Sequence, residues 1–259
     1  MQSRTVGFVG GGRITAIFLR ALGGRGIALE RVTVSDTSPD VLARLKDSFP
    51  AITTTAENGD AAACERVFLA LHPPVLKAVL PGIASRVGRD AVVVSLAPVL
   101  TLARLQEMLG GFARLARVLP NAPSIVGAGY NPVAFGGGLP ADARADLDAL
   151  LDGLGAHPEV PEETLEAYAV LAAMGPTYFW FQWQALRELA GSFGLAPAAA
   201  DSALRAMLDG SVRTLFDAGL TGEQVMDLVP VKPLAERQPQ IAQAYRDVLP
   251  GLYAKLKGA

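Results

Sequence analysis

The sequence predicts an α/β protein in which an N-terminal Rossmann-like doubly wound sheet is followed by an all-helical C-terminal domain. Three observations carry this. Residues 1–157 alternate short, nearly continuous apolar runs with helical stretches, and residues 158–259 show helical patterning only. Strands buried on both faces lose the polar alternation of half-exposed ones, so such runs belong to a parallel sheet covered by helices. The third observation is the triplet Gly10-Gly11-Gly12, set between the first apolar run and the first helical stretch.

In chain order, the expected strands are Thr5–Val9, Arg31–Ser35, Arg66–Leu71, Ala91–Leu96 and Leu115–Leu119, each rich in Val, Leu or Phe. Between them lie expected helices Ile14–Leu22, Pro39–Phe49, Val75–Arg86 and Leu102–Leu109, and Ala141–Leu154 closes this half. Strand and helix in this alternation build βαβ units. The second half is expected as helices Glu162–Ala173, Thr177–Phe193, Pro197–Ala218, Gly222–Leu228 and Leu234–Lys257. Pro176, Pro197, Pro230 and Pro233 punctuate it near starts and breaks, where proline is tolerated.

Composition excludes several classes. With 51% hydrophobic and 19% charged residues, the chain buries a core rather than staying disordered. The net charge of −2 and the lack of a basic tract give no footprint for nucleic acid. Cys64 is the only cysteine and His72 and His157 the only histidines, so neither a disulfide framework nor a His/Cys metal cluster is expected. No apolar run reaches membrane-spanning length, and the first residues lead straight into a strand. The expectation is a cytoplasmic protein with no membrane partner.

The glycine segment Gly10-x-Gly12-x-x-Thr15 runs from strand to helix, the context of a dinucleotide-binding loop. Gly10 permits the tight turn, and Gly12 lets a pyrophosphate approach the amides at the helix N-terminus. The third position usually carries Gly or Ala and here is Thr15. The second strand ends at Ser35-Asp36, where an acidic side chain receives the adenine ribose hydroxyls. A 2′-phosphate would meet this carboxylate, with no Lys or Arg following until Arg44, so NADH is favoured over NADPH within an NAD(P)H assignment. The simpler reading of Asp36, a cap on the next turn, stays open.

Further motifs carry a family resemblance. Val67–Pro74 resembles the strand-to-turn motif AVKPQ, Val92–Leu102 resembles VISIAAGVTL, and Arg117–Gly129 resembles RVMPNTPALVGEG. With the glycine loop they follow the order and spacing of the pyrroline-5-carboxylate reductase family. More weakly, Ala173–Tyr178 stands where that family has SGSGPAY. The resemblance implies reduction of a cyclic imine acid to proline with NAD(P)H. It also implies a helical domain that interlocks into a homodimer or larger homo-oligomer. Carried over, it implies that Gly10, Gly11, Gly12, Arg13 and Ile14 line the cofactor phosphates. Leu71, His72, Pro73, Ser95 and Ala97 would lie along the nicotinamide, with Asn121 near the floor of the site.

The chain departs from the family where substrate would be held. Leu228–Glu236 stands in place of VTSPGGTT and lacks its glycines and threonines, while Pro230 and Pro233 have no N–H to donate. Met174 replaces a serine, Ala122 a threonine and His72 a lysine. This pattern implies a rebuilt substrate half acting on a small anionic imine or oxo acid. The candidates for its chemistry are Lys232, as the lone cation of the altered loop, Thr177 and Tyr178 beyond Gly175-Pro176, and His72 at the end of a strand. Two other functions fit the same residues: a hydroxyacid-type dehydrogenase acting on a carbonyl, and a nucleotide-binding relative without catalysis. Glu162, Glu163 and Glu166 are expected on a solvated helix face.

Overall fold

In a computed structural model that describes residues 5–24 and 31–258, the chain forms two compact units, 1–174 with 253–259, and 175–252. The first unit is built on a seven-stranded sheet in the order β3-β2-β1-β4-β5-β6-β8. Its strands are β1 (Val6–Val9), β2 (Val32–Ser35), β3 (Thr53–Thr55), β4 (Arg66–Leu69), β5 (Val92–Ser95), β6 (Leu115–Val118) and β8 (Val133–Phe135). All pairs are parallel except β6 with β8. The first six strands follow the doubly wound order of dinucleotide-binding sheets.

The continuous apolar runs form these strands because helices cover both faces. One core layer joins Phe8, Phe68 and Val94 to Phe18 and Leu22 of α1 (Arg13–Gly23) and Leu147 of α6 (Ala141–Leu151). Phe8 stacks on Phe68 with ring centroids 5.0 Å apart, and Phe18 meets both edge-on. The opposite layer sets Val9, Val67 and Val93 against α3 (Asn58–Ala62), α4 (Pro73–Ile83) and α5 (Leu102–Met108). Ser38 caps α2 (Pro39–Ser48) by accepting from Val41 N, and Thr101 caps α5 by accepting from Arg104 N.

Sequence patterning does not reveal β3, α3, β8 or the two-residue pair β7 (Gly129–Tyr130) and β9 (Gly155–Ala156). These elements have five residues or fewer, β3 is a run of threonines, and β3 and β8 sit at the two edges, so the apolar signal is weak. The division between the units also falls later than the expected 157/158. Residues 158–174 stay with the sheet through a bridge from Val133 to Glu159 and through ion pairs from Glu162 and Glu166 to Arg117 on β6. The expected helix Glu162–Ala173 is instead a 3-10 turn, a single helical turn α7 (Leu165–Tyr168), and a π turn over Ala169–Ala173.

The second unit comprises α8 (Pro176–Ser192), α9 (Pro197–Asp217), α10 (Gly222–Asp227) and most of α11 (Gln238–Gly258). Ala190 and Ala200 are the only buried apolar side chains among its described residues. Phe181, Phe193, Val212 and Phe216 are exposed. No described helix is long and apolar enough to cross a membrane.

Candidate functional site

The strand order reverses at β1, whose parallel neighbours are β2 on one side and β4 on the other. Open α/β sheets bind ligands at the carboxyl ends of strands beside such a switch point. A cleft of about 670 Å³ lies there. Its walls are Gly11–Ile14 after β1, Ala70–Pro73 after β4, Leu96–Pro98 after β5, and Val41, Arg44, Leu45, Ser48 and Phe49 of and beyond α2.

The glycine loop is shaped for close approach. Gly10 has φ 107°, and a Cβ on it would lie 2.6 Å from the Ala70 carbonyl oxygen, so only glycine fits. Gly12 has ordinary extended dihedrals, yet nothing lies within 4 Å of where its Cβ would be. The space above it is the cleft. The first amides of α1 lack intrahelical acceptors, and no side chain caps them and no acid stands in the first turn. Their partial positive charge is left for an anion, so the loop fits a dinucleotide pyrophosphate.

Thr15, unusual at the third motif position, is buried, and its hydroxyl donates to the Gly10 carbonyl at 2.6 Å. A hydroxyl thus tightens the turn where the standard motif relies on a small residue. Asp36 accepts from Gly11 N at 2.8 Å through Oδ2 and from Ser38 N at 2.9 Å through Oδ1. It therefore does cap the following turn, and it also ties the end of β2 to the glycine loop.

Of the residues singled out from sequence, Gly11, Gly12, Arg13, Ile14, Leu71, His72, Pro73 and Ala97 come together around the cleft. His72 is exposed and N-caps α4 with its backbone only. Ser35 and Ser95 do not line the cleft: both are fully buried. The Ser35 hydroxyl bonds Asn58 at 2.9 Å, and the Ser95 oxygen accepts from Ala97 N at 3.4 Å. Gly10, Asp36 and Asn121 also lie outside its lining. Asn121 belongs to a buried amide network, accepting from Tyr130 N at 3.1 Å and donating to the Ala172 carbonyl at 3.3 Å. Asn131 Oδ1 receives Asn121 N and the Ser124 hydroxyl in the same network.

Thr177, Tyr178 and Lys232 are on the second unit. Lys232 is exposed, and Tyr178 lies beside the Tyr245 ring at 5.8 Å, where burial pushes its phenol pKa up.

Two features escape sequence reasoning. Arg44 lines the cleft, a placement that depends on how α2 packs. Glu162 and Glu166 do not share a solvated face. Arg117, fully buried, donates to Glu162 at 2.9 Å and to Glu166 at 2.6 Å. Burial pushes the Glu166 carboxyl up, but the Arg117 hydrogen bond and charge, with the Val99 amide, outweigh it and hold the group below its ordinary value. The arginine in an otherwise apolar strand, Leu115-Ala116-Arg117-Val118, is the available signal, since a buried cation needs a paired anion.

Sheet order, switch-point cleft and glycine turn together define a Rossmann-type architecture shaped for a dinucleotide. Residues 5–98 match the family model described as NADP oxidoreductase, coenzyme F420-dependent. Pyrroline-5-carboxylate reductase 3 of Bos taurus is 31% identical over 217 residues, covering 83% of this chain and 70% of that protein. The pyrroline-5-carboxylate reductase of Escherichia coli strain K12 is 26% identical over 229 residues, covering 88% and 85%. Among solved structures, the Plasmodium falciparum pyrroline carboxylate reductase, determined with NADP bound, superposes with a TM-score of 0.84 at 18% identity, covering 100% of this chain and 98% of that one. The chain belongs to the pyrroline-5-carboxylate reductase family of NAD(P)-dependent oxidoreductases, as a divergent member.

Proposed function

We propose that this protein uses NAD(P)H, with NADH favoured, to reduce a C=N bond of a small imine acid. The observation that carries the cofactor half is the open space above Gly12 at the uncapped start of α1, inside the switch-point cleft. Family membership carries the reaction class. Bound in the cleft, the reduced nicotinamide supplies a hydride to the imine carbon.

The chain's own residues position and shield. The amides of Gly12, Arg13 and Ile14 hold the pyrophosphate, and the Asp36 carboxylate accepts from the ribose hydroxyls. Ile14, Leu71, Leu96 and Ala97 form apolar wall that excludes water from the reacting carbon. His72, on the cleft wall after β4, is assigned as a proton donor to the imine nitrogen. On the helical unit, Lys232 is assigned to the substrate carboxylate, and Thr177 and Tyr178 to its polar contacts. Asp36, tied to the glycine loop beside the cleft, favours NADH by repelling a 2′-phosphate, against the attraction of Arg13 and Arg44 on the cleft wall. The apolar side chains exposed on the second unit support a homodimer or larger homo-oligomer, because patches of this kind are normally covered.

The test is oxidation of NADH and of NADPH, followed by nicotinamide absorbance, against a panel of cyclic imine acids and 2-oxo acids with and without amines. Turnover with a cyclic imine acid is the expected result. Turnover only with a 2-oxo acid in the absence of amine would make the protein a hydroxyacid-type dehydrogenase. Nucleotide binding with no turnover on any member would favour a non-catalytic role.

A further inference from the structure

Val99 is the only non-glycine with positive φ, 81°, among the described residues. A β-branched side chain strongly disfavours that region, and such strain persists only where the surroundings impose it. In the motif VISIAAGVTL the position matching Val99 is glycine, which enters this region freely. Here something else must hold the backbone.

The restraint comes from far along the chain. Val99 N donates to Oε1 of Glu166 at 3.1 Å, across a separation of 67 residues. Leu102 N, at the other end of the same loop, donates to Oε1 of Glu162 at 2.6 Å. Both carboxylates are mounted on the single guanidinium of Arg117. Arg117 is 1% exposed and Glu166 6% exposed, and Arg117 Nε has no hydrogen-bond partner among the described residues. A buried ion pair is a poor way to gain stability compared with apolar packing, and an incompletely satisfied one is poorer. What the arrangement does achieve is geometric: it pins two amides of the loop whose preceding residues, Ala97 and Pro98, are cleft wall.

We propose that Glu166, charge-balanced by Arg117, is a positioning residue of the cofactor site. Its carboxylate holds Val99 in the left-handed region and thereby fixes the Ala97–Pro98 wall, at the position where the family motif carries glycine. The inference rests on the assignment of the cleft to a nicotinamide dinucleotide.

The experiment measures NADH and NADPH affinity by fluorescence titration in Glu166→Ala, Glu166→Gln and the double variant Glu166→Ala/Val99→Gly, with folding checked by circular dichroism and thermal melting. Glu166→Ala is expected to weaken binding about tenfold, the equivalent of a strain of this kind released. Glu166→Gln keeps an acceptor for Val99 N and is expected to bind nearly as the wild type. Adding Val99→Gly to Glu166→Ala is expected to restore most of the lost affinity, because glycine needs no anchor. A merely structural role for Glu166 predicts no such rescue. Unchanged affinity in folded Glu166→Ala, or a loss that Val99→Gly does not recover, overturns the proposal. If Glu166→Ala does not fold, Val99→Pro decides. It leaves the ion pairs in place but forces φ negative, so lost affinity supports the proposal and wild-type affinity refutes it. A wild-type protein that binds neither nucleotide overturns the cofactor assignment and this inference with it. Wild-type binding with an unaffected Glu166→Ala overturns this inference alone.

Discussion

Replacing Gly12 by valine separates the cleft from the fold more cleanly than any other single change. The Gly12 backbone, at φ −70° and ψ −168°, is one that any residue adopts, and no atom lies within 4 Å of the added Cβ. The cost to the free protein is the weaker N-cap preference of valine, about 1 kcal/mol or less. The new side chain has one place to go, the space assigned to the pyrophosphate. Excluding it forfeits at least two amide–phosphate hydrogen bonds, each about 1.5–3 kcal/mol because the acceptor is charged. The sum of about 3–6 kcal/mol corresponds to a loss of roughly 100-fold to 10,000-fold in affinity, at about 1.4 kcal/mol per tenfold. NADH titration by fluorescence measures this, with far-ultraviolet circular dichroism and a melting curve showing that the helices and sheet survive. Gly12→Ala should fall between the two. A folded Gly12→Val protein that binds NADH within about threefold of the wild type would refute the glycine-loop assignment.

Asp36→Asn keeps the shape and one strong acceptor while deleting the charge, so the preference for NADH over NADPH should narrow or reverse; a native preference of tenfold or more for NADPH would refute the role given to Asp36. Thr15→Val removes the hydroxyl that donates to the Gly10 carbonyl without changing volume, and should lower stability by about 1–3 kcal/mol in urea denaturation, the cost of a buried acceptor left unpaired. Lys232→Met deletes the charge and keeps the stem. KM for the acidic substrate should rise with kcat nearly kept, and both constants staying within twofold of wild type would remove Lys232 from the site. Light scattering at micromolar concentration should give at least the dimer mass, and a monomer would count against the reading of the exposed apolar faces of α8 and α9.

The elements legible in the sequence are those with strong local signals. β1, β2, β4, β5 and β6 are apolar runs buried on both faces, and the expected strands match them to within two residues at either end. The glycine turn is legible because its chemistry is local: Gly10 needs positive φ and Gly12 needs open space, and both follow from residue type between a strand and a helix. The family motifs are contiguous, so the residues alone carry the lineage. β3 and β8 escape because three-residue edge strands carry little periodicity.

Tertiary structure decided what depends on partners far apart in the chain. Ser35 and Ser95 end strands that lead toward the cleft and Asn121 stands in a family motif, but packing turns the two serines inward and commits Asn121 to a network with Tyr130 and Ala172. Arg44 reaches the cleft only because α2 packs against the glycine loop. The spacing of Glu162 and Glu166 looks like a solvated helix face, yet their partner is 45 and 49 residues upstream on β6. The strained turn at Val99 depends on a carboxylate 67 residues away. Local periodicity records which side of an element meets a core; it does not record which buried charge waits there, because desolvation and pairing are settled only when distant segments meet.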